Sequence, residues 1–163
     1  GASQGGSSKE QSEKEQNASR ATEELTVALK EQIDQGLIEV EQRDGKVFVT
    51  VGSGGAFPSG TADLTGEAQR IMDRIALTAM SPDSSITVTG HTDDVPISNG
   101  QFRDNWDLGA GRAASVVQAI QSTGLISGDR LSAVSKGEMV PVADNNTAAG
   151  RKQNRRIEIE ISY

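Results

Sequence analysis

Two adjacent acids and one arginine are the side chains of this sequence best suited to charge-based recognition. Asp93 and Asp94 follow a short apolar segment, and Arg112 lies within a largely apolar stretch further along the chain. A carboxylate and a guanidinium a few ångströms apart can hold both ends of an amino acid, because the carboxylate accepts from an ammonium while the guanidinium donates a bidentate pair to a carboxyl group. The same residue types also form structural salt bridges, so both interpretations stay open at this point.

The helical spacing around Arg112 places this residue at the edge of a buried face. At 100° per residue, Arg112 lies about 40° from Val116, one turn later. A partly buried guanidinium needs an anionic partner, and Asp93 or Asp94 can supply one. Asn105, just before the helix, can add amide hydrogen bonds. The apolar positions that define the buried face are Ala113, Val116, Val117 and Ile120.

Metal binding and glycosidic hydrolysis are two other uses of these acids. His91 is the only histidine and there is no cysteine, so a metal site with Asp93 and Asp94 is short of ligands. Hydrolysis needs two carboxylates that flank one bond, whereas adjacent strand residues point to opposite sides. We therefore expect no metal and no cofactor, and we expect His91 to fix the loop by a hydrogen bond.

The composition excludes several classes of protein. The chain has 163 residues with 34% hydrophobic and 24% charged residues, which is ordinary for one globular domain with a tail. A net charge of -7 argues against general nucleic-acid binding, which favours basic surfaces. No apolar run approaches the roughly 20 residues needed to cross a bilayer, so any membrane segment would lie upstream of this piece.

The first part of the chain predicts a linker. Residues 1–24 contain no Val, Ile, Leu, Met or aromatic residue, and such a segment cannot bury enough apolar surface to offset its ordering entropy. We expect residues 1–18 to be a flexible linker or a tag remnant and residues 19–36 to be a linker helix. Residues 37–163 would then form the binding domain.

Helix and strand patterns alternate through that domain. Alternating apolar residues on either side of Asp44-Gly45 predict a hairpin. A helix begins near Thr65, a second runs from about Trp106 to Thr123, and short strands precede and follow them. The chain closes on an alternating strand that includes Glu158. This order predicts an α/β (α+β) two-layer sandwich, in which a mixed β-sheet carries helices on one face.

Five motifs in order carry a family resemblance: GHTDD, NWDL, GRAASVV, GEMVP and NRRIEI. Over about residues 46–163 the sequence resembles the OmpA-like peptidoglycan-binding domain. The resemblance implies that Asp93 binds the ammonium and Arg112 the carboxylate of diaminopimelate in cell-wall stem peptides. It also implies four further pocket residues, namely Thr92, Asn105, Leu108 and Arg155.

The segments RDGKVFVTV and AFPSGTADL extend the resemblance to the periplasmic domain of flagellar stator B subunits, the MotB and PomB proteins. That resemblance implies a non-catalytic anchor of the motor to peptidoglycan, a homodimer, and a MotA or PomA membrane partner held through an upstream transmembrane region. The alternatives are the wall anchor of another outer-membrane protein or lipoprotein of the OmpA or Pal type, and a cell-wall hydrolase. Pro58 stands where some relatives carry Asp, which puts a ligand contact from that position in doubt.

Two neighbouring positions carry separate expectations. A lone tryptophan that begins an amphipathic helix favours a buried or stapling role for Trp106, with stacking on a sugar as the alternative. In the basic cluster before the last strand we expect Arg155 at the pocket and Arg156 in a structural ion pair.

Overall fold

The computed structural model describes the backbone of residues 2–163 and the side chains of residues 8–163. The helices are α1 (Ala2–Ala28), α2 (Lys30–Asp34), α3 (Ser53–Ala56), α4 (Gly66–Thr78), α5 (Asn105–Ser122) and α6 (Ala148–Asn154). The strands are β1 (Ile38–Arg43), β2 (Lys46–Gly52), β3 (Ser85–His91), β4 (Leu131–Gly137) and β5 (Arg156–Ser162), and a 3₁₀ turn covers Gly128–Arg130.

The five strands form one mixed sheet in the order β1-β2-β5-β3-β4. All neighbours pair antiparallel except β3 and β4, which are parallel and are connected through α5. Alternation sends one side of each central strand into the core beneath the helices, and the other side carries polar residues such as Glu158. The predicted two-layer sandwich with helices on one face is therefore confirmed. The buried strand residues are Val47, Val49, Val51, Ile86, Val88, Ile157, Ile159 and Ile161.

The predicted hairpin joins β1 to β2 through a two-residue turn. Asp44 and Gly45 have φ values of 53° and 72°. Positive φ at both central residues defines a type I′ turn, whose twist matches that of the flanking strands. The Asp-Gly pair therefore fixes the register that brings Val47, Val49 and Val51 to the core side.

Helix α5 lies directly on β3 because glycines meet at the crossing. A Cβ at Gly90 would collide with the carbonyl of Gly109. The side chain of Asp104 caps the start of α5 by accepting from the backbone N–H of Asp107 at 2.9 Å. The glycine contact and the cap together fix where the first turns of α5 stand relative to the end of β3.

The N-terminal helix differs from the sequence-based expectation. Instead of a flexible linker over residues 1–18, α1 already runs from Ala2, and Gly1 lies outside the described residues. The stripe Ala18, Ala21, Leu25 and Leu29 is buried against the sheet and α4, which anchors the helix. Good helix formers such as Glu, Lys and Gln then continue it upstream. Among the described residues no helix is long and apolar enough to cross a membrane.

Candidate ligand-binding cavity

A cavity of about 560 Å³ opens where β3 ends and α5 begins. Its walls come from the segment 53–60 after β2, the loop 93–97 after β3, one face of α5, and two arginines at the end of α6. Beyond the wall formed by residues 93–97, Asn99 of the same loop donates from its side chain to the carbonyl of Gly60 at 3.2 Å, which ties the loop to the segment 53–60. The cavity therefore lies at the ends of neighbouring strands, where loops are free to vary without disturbing the sheet.

Five of the six residues predicted for the pocket line this cavity: Asp93, Asn105, Leu108, Arg112 and Arg155. The three α5 residues are spaced at i, i+3 and i+7, so they share one face of the helix. Asp93 comes from the loop after β3, and Arg155 lies between α6 and β5. The fold thus gathers residues that are up to 62 positions apart in the chain.

Thr92, the sixth predicted residue, does not line the cavity. Its side chain is buried, and its hydroxyl donates to the carbonyl of Asp93 at 2.8 Å. Its backbone N–H donates to the carbonyl of Gly137 at 2.9 Å. Alternation along the strand end turns Thr92 away from Asp93, so Thr92 can position Asp93 but does not face the cavity.

Arg112 is a buried cation whose hydrogen-bonding capacity is only partly used. Its Nε donates to the carbonyl of Thr61 at 2.8 Å, and the guanidinium lies over the Phe57 ring at 4.8 Å from the centroid. Among the described residues, no carboxylate lies within 4.0 Å of it, and neither Nη atom has a hydrogen-bond partner. Burial lowers the pKa of Arg112 to about 10; the charge of Arg155 contributes to the lowering and that of Asp93 opposes it.

Asp93 pairs with Arg155 rather than with Arg112, the partner considered first from the sequence. Its Oδ2 accepts from Nη1 of Arg155 at 2.7 Å, while its Oδ1 accepts from the backbone N–H of Val95 at 3.1 Å. Asp94, the other candidate partner, is exposed and does not line the cavity. A carboxylate offers about four lone-pair sites, so Asp93 keeps acceptor capacity toward the cavity.

Asn105 lines the cavity and also hydrogen-bonds to the loop after β3. Its Nδ2 donates to the carbonyls of Val95 at 3.1 Å and Asp93 at 3.3 Å. Both amide donors are thus engaged with the backbone. The side-chain oxygen is the part of this amide left for a ligand, so Asn105 can accept from a ligand donor.

Nine of the lining residues were not predicted from the sequence, and three of these carry side chains that bear on the site: Ser53, Phe57 and Arg151. The glycine-rich segment containing Ser53 and Phe57 forms the short helix α3 and places a buried phenylalanine under Arg112. The hydroxyl of Ser53 is buried without a hydrogen-bond partner among the described residues. Pro58 is absent from the lining, in agreement with the doubt about a ligand contact there.

The charges that line the cavity are mainly positive and favour an anion, and a single carboxylate lies among them. Arg112, Arg151 and Arg155 supply three guanidinium groups, against the single carboxylate of Asp93. This local excess of positive charge occurs in a chain whose net charge is -7. A zwitterion with a further carboxylate therefore matches the cavity better than a simple cation does.

A second buried arginine, Arg156, lies beside Glu158 and His91 on the other side of the same strand end. Arg156 is buried, donates to Glu158 at 2.9 Å, and also donates to the carbonyls of Asn154 and Val140. His91 contacts Glu158 at 3.1 Å, so its hydrogen bond joins β3 to the neighbouring strand β5 and does not fix the loop as expected. The pKa of Glu158 is lowered to about 2. The hydrogen bond from His91 makes the largest contribution, and the bond from Arg156 adds to it. The prediction of a structural pair for Arg156 is confirmed.

Trp106 is not buried, contrary to the favoured expectation. Its side chain is 47% exposed, although it starts an amphipathic helix. The ring packs against Gly137 at the end of β4, since a Cβ on that glycine would lie 3.3 Å from the ring.

A smaller cavity of about 300 Å³ lies between α1 and the end of α4. Its polar groups are largely occupied: Arg20 donates to Asn17 at 2.6 Å, and the Tyr163 hydroxyl donates to the carbonyl of Thr78 at 2.9 Å. Burial raises the pKa of Tyr163 to about 12. None of the predicted site residues lines this cavity, so the larger one is the candidate site.

Comparison with known proteins agrees with the fold. A profile of the OmpA family matches residues 56–155. Motility protein B of Bacillus subtilis (strain 168) is 33% identical over 125 residues, which are 76% of this chain and 48% of that protein. A solved structure of a putative MotB-like protein from Desulfovibrio vulgaris matches with a TM-score of 0.81 and 27% identity, covering 93% of this chain and 94% of that one.

A second solved structure, the cell wall anchor of the T6SS from Pseudomonas aeruginosa, matches with a TM-score of 0.77 and 32% identity over 85% of this chain and 96% of that one. The chain therefore belongs to the OmpA family. Within the family it is close to the C-terminal periplasmic domain of MotB proteins. It spans about half the length of the curated relatives it matches, 48% and 43% for two of them.

Proposed function

We propose that the cavity binds, without catalysis, the free amino-acid end of diaminopimelate in peptidoglycan stem peptides. Asp93 accepts from the ammonium, and the Nη atoms of Arg112 donate to the carboxylate. Arg155 adds positive charge and meets the ligand beside Asp93. Leu108 contributes an apolar wall, and Asn105 offers its side-chain oxygen to a ligand donor.

One observation carries the proposal: the unpartnered Nη atoms of Arg112 share a cavity with Asp93. A buried guanidinium without a carboxylate partner costs stability, and the lowered pKa of Arg112 reflects that cost. A ligand carboxylate placed against Arg112 would supply the missing partner. Structural arginines in this fold, such as Arg156, already have theirs.

The similarity to Motility protein B supports a role for the whole protein as the wall anchor of a flagellar motor stator. The domain would lie in the periplasm as part of an inner-membrane protein, and a MotA- or PomA-type subunit would pair with the region upstream. One small polar ligand binds weakly after its desolvation. A homodimer would strengthen attachment by engaging two stem peptides of the same wall.

Wall anchoring in another assembly is a second candidate, favoured by the similarity to the T6SS anchor. The cavity chemistry would be the same, and complementation of swimming in a strain that lacks its stator B subunit distinguishes the two. A hydrolase fits less well. Asp93 is the one acid among the described residues that line the cavity, and hydrolysis needs two carboxylates about 5 to 9 Å apart.

Matched stem peptides test the proposed clasp. Tripeptides that end in diaminopimelate or in lysine both present a side-chain ammonium, but only diaminopimelate carries the adjacent carboxylate. Calorimetry should give at least about tenfold tighter binding of the diaminopimelate peptide, since a charge-assisted hydrogen bond contributes roughly 1.5–3 kcal/mol. Equal affinities for the two peptides would contradict the role of Arg112.

Co-sedimentation with purified cell walls gives the matching test on the protein. Asp93→Asn and Arg112→Ala should leave the protein in the supernatant, while the neighbouring controls Asp94→Asn and Arg103→Ala should pellet like wild type. Circular dichroism checks that each variant is folded. Release of soluble wall fragments by the wild type would instead indicate hydrolysis.

A further inference from the structure

The cavity carries more positive charge than one zwitterionic amino-acid end can compensate. Three guanidinium groups, those of Arg112, Arg151 and Arg155, line it together with the single carboxylate of Asp93. The ammonium and the carboxylate of one amino-acid end cancel each other, so a clasp between Asp93 and Arg112 leaves this excess unchanged. Cations gathered in a partly enclosed site attract an anion. The excess therefore matches a ligand that carries a second anionic group.

Arg151 is the lining cation to which the proposed clasp gives no role. It lies on α6, four residues before Arg155, and its side chain is partly buried. Its Nη1 donates to the carbonyl of Asn145 at 3.0 Å, and in the part of the chain that the structure describes no carboxylate lies within 4.0 Å of its guanidinium. Arg155 differs, since its Nη1 already pairs with Asp93 at 2.7 Å. Arg151 therefore keeps donors for a ligand.

Backbone hydrogen bonds connect the helical turn that carries Arg151 to the wall formed by the segment 53–60. The backbone N–H of Ser53 donates to the carbonyl of Arg155 at 2.9 Å, and the backbone N–H of Arg155 donates to the carbonyl of Arg151 at 3.0 Å. A Cβ added at Gly54, which also lines the cavity, would meet no atom within 4 Å. This wall is therefore fixed by backbone bonds and has free space at Gly54.

A stem peptide offers a second carboxylate next to its diaminopimelate end. The glutamate that precedes diaminopimelate is joined through its γ-carboxyl group, so its α-carboxylate stays free. When diaminopimelate is the last residue, its main-chain carboxylate is free as well. The cavity volume of about 560 Å³ lies in the range of sites that hold drug-sized ligands, so there is room for more than one amino-acid end.

We propose that Arg151 binds this second carboxylate and so makes the domain sensitive to amidation of the stem peptide. The inference rests on the proposed function, because the clasp at Asp93 and Arg112 brings the second carboxylate into the same cavity. Amidation replaces a charged acceptor by a neutral amide, which removes the charge-assisted hydrogen bond to the guanidinium. Arg151 thus determines specificity and is not part of the clasp.

Three tripeptides of alanine, glutamate and diaminopimelate test the inference on the wild-type protein. The first is unmodified, the second is amidated at the glutamate α-carboxyl group, and the third is amidated at the main-chain carboxyl group of diaminopimelate. All three keep the side-chain ammonium and carboxylate that the clasp needs. Calorimetry should give about three- to tenfold weaker binding of one amidated peptide, because a partly exposed charge-assisted bond contributes less than a buried one. The weakened peptide identifies which carboxylate Arg151 binds.

The variant Arg151→Gln should bind all three peptides with the affinity that wild type has for the weakened one. Arg151→Lys keeps the charge and loses the planar fork, so it should retain part of the preference. The control Lys152→Gln removes the next positive charge of α6, which is exposed and does not line the cavity, and should keep the full preference. Circular dichroism checks that each variant is folded.

The outcomes separate the two proposals. The role of Arg151 is overturned if wild type binds the three peptides equally, if Arg151→Gln keeps the preference, or if Lys152→Gln loses it to the same extent. In each of these cases a preference for diaminopimelate over lysine peptides would still support the clasp. If none of the three tripeptides binds, the proposed function itself fails, and the role of Arg151 fails with it.

Discussion

Two buried arginines at the same end of the sheet differ in how fully they are satisfied. Arg156 has a carboxylate and two carbonyls as partners. Arg112 has one carbonyl and an aromatic ring, and its Nη atoms are unpartnered among the described residues. Both side chains are about 95% buried, so exposure does not distinguish them. We call Arg156 with Glu158 and its two carbonyl partners the saturated cluster, and we expect it to stabilise the fold. Arg112 keeps donor capacity for a ligand, in line with its place in the cavity.

The largest effect on stability is expected at the saturated cluster. Arg156→Met should lower the free energy of unfolding by about 2–3 kcal/mol, because two carbonyls and Glu158 lose their donor. The half exposure of Glu158 keeps the effect below that of a fully buried pair. Urea titration measures the change. The control Arg43→Met removes an arginine that is exposed on β1 and should stay within about 0.5 kcal/mol of wild type.

A much smaller effect on stability is expected at the cavity. Arg112→Met keeps the apolar stem and removes a buried charge without a carboxylate partner, so the lost bond to Thr61 is offset by relief of desolvation. The free energy of unfolding should stay within about 1 kcal/mol of wild type, while wall co-sedimentation is lost. A destabilisation as large as that of Arg156→Met would show that Arg112 is a structural residue, and the contrast between the clusters would fail.

The smallest expected effect is the contribution of Glu158, in the saturated cluster, to the pH dependence of stability. The pKa of Glu158 falls to about 2 in the folded protein, mainly because of the hydrogen bond from His91. A lowered carboxyl pKa contributes stability above the ordinary value of about 4.5, and this contribution is lost as pH falls toward 2. Because Glu158 is half exposed, we expect less than about 1 kcal/mol.

Urea midpoints at pH 6 and pH 3 measure that contribution. Glu158→Gln should lose less stability than wild type over this interval, because the substituted amide does not titrate. Glu39→Gln, on the exposed edge strand, serves as the control and should follow wild type. An identical acid response of wild type and Glu158→Gln would show that the ion-pair cluster does not contribute to acid stability.

Some parts of this protein follow from local sequence rules. The turn at Asp44-Gly45 needs positive φ at two positions, and few dipeptides other than Asp-Gly accept it readily. The strands follow from alternation, and the end of α5 follows from Gly124, whose φ is 74°. Three cavity residues on α5 share a face because their spacing is helical. These features depend on neighbours within a few residues, so the sequence reveals them.

The tertiary structure decided the rest. Whether Asp93 pairs with Arg112 or Arg155 depends on where α6 ends relative to the cavity, which no local pattern encodes. Trp106 is 47% exposed although its position at the start of an amphipathic helix predicts burial, and its ring contacts Gly137 at the end of β4. The helical state of residues before Ala18 likewise follows from the docking of Ala18, Ala21 and Leu25 on the core. Charge, turn and periodicity are properties of short segments, but pairing and exposure depend on distances between segments that only packing sets.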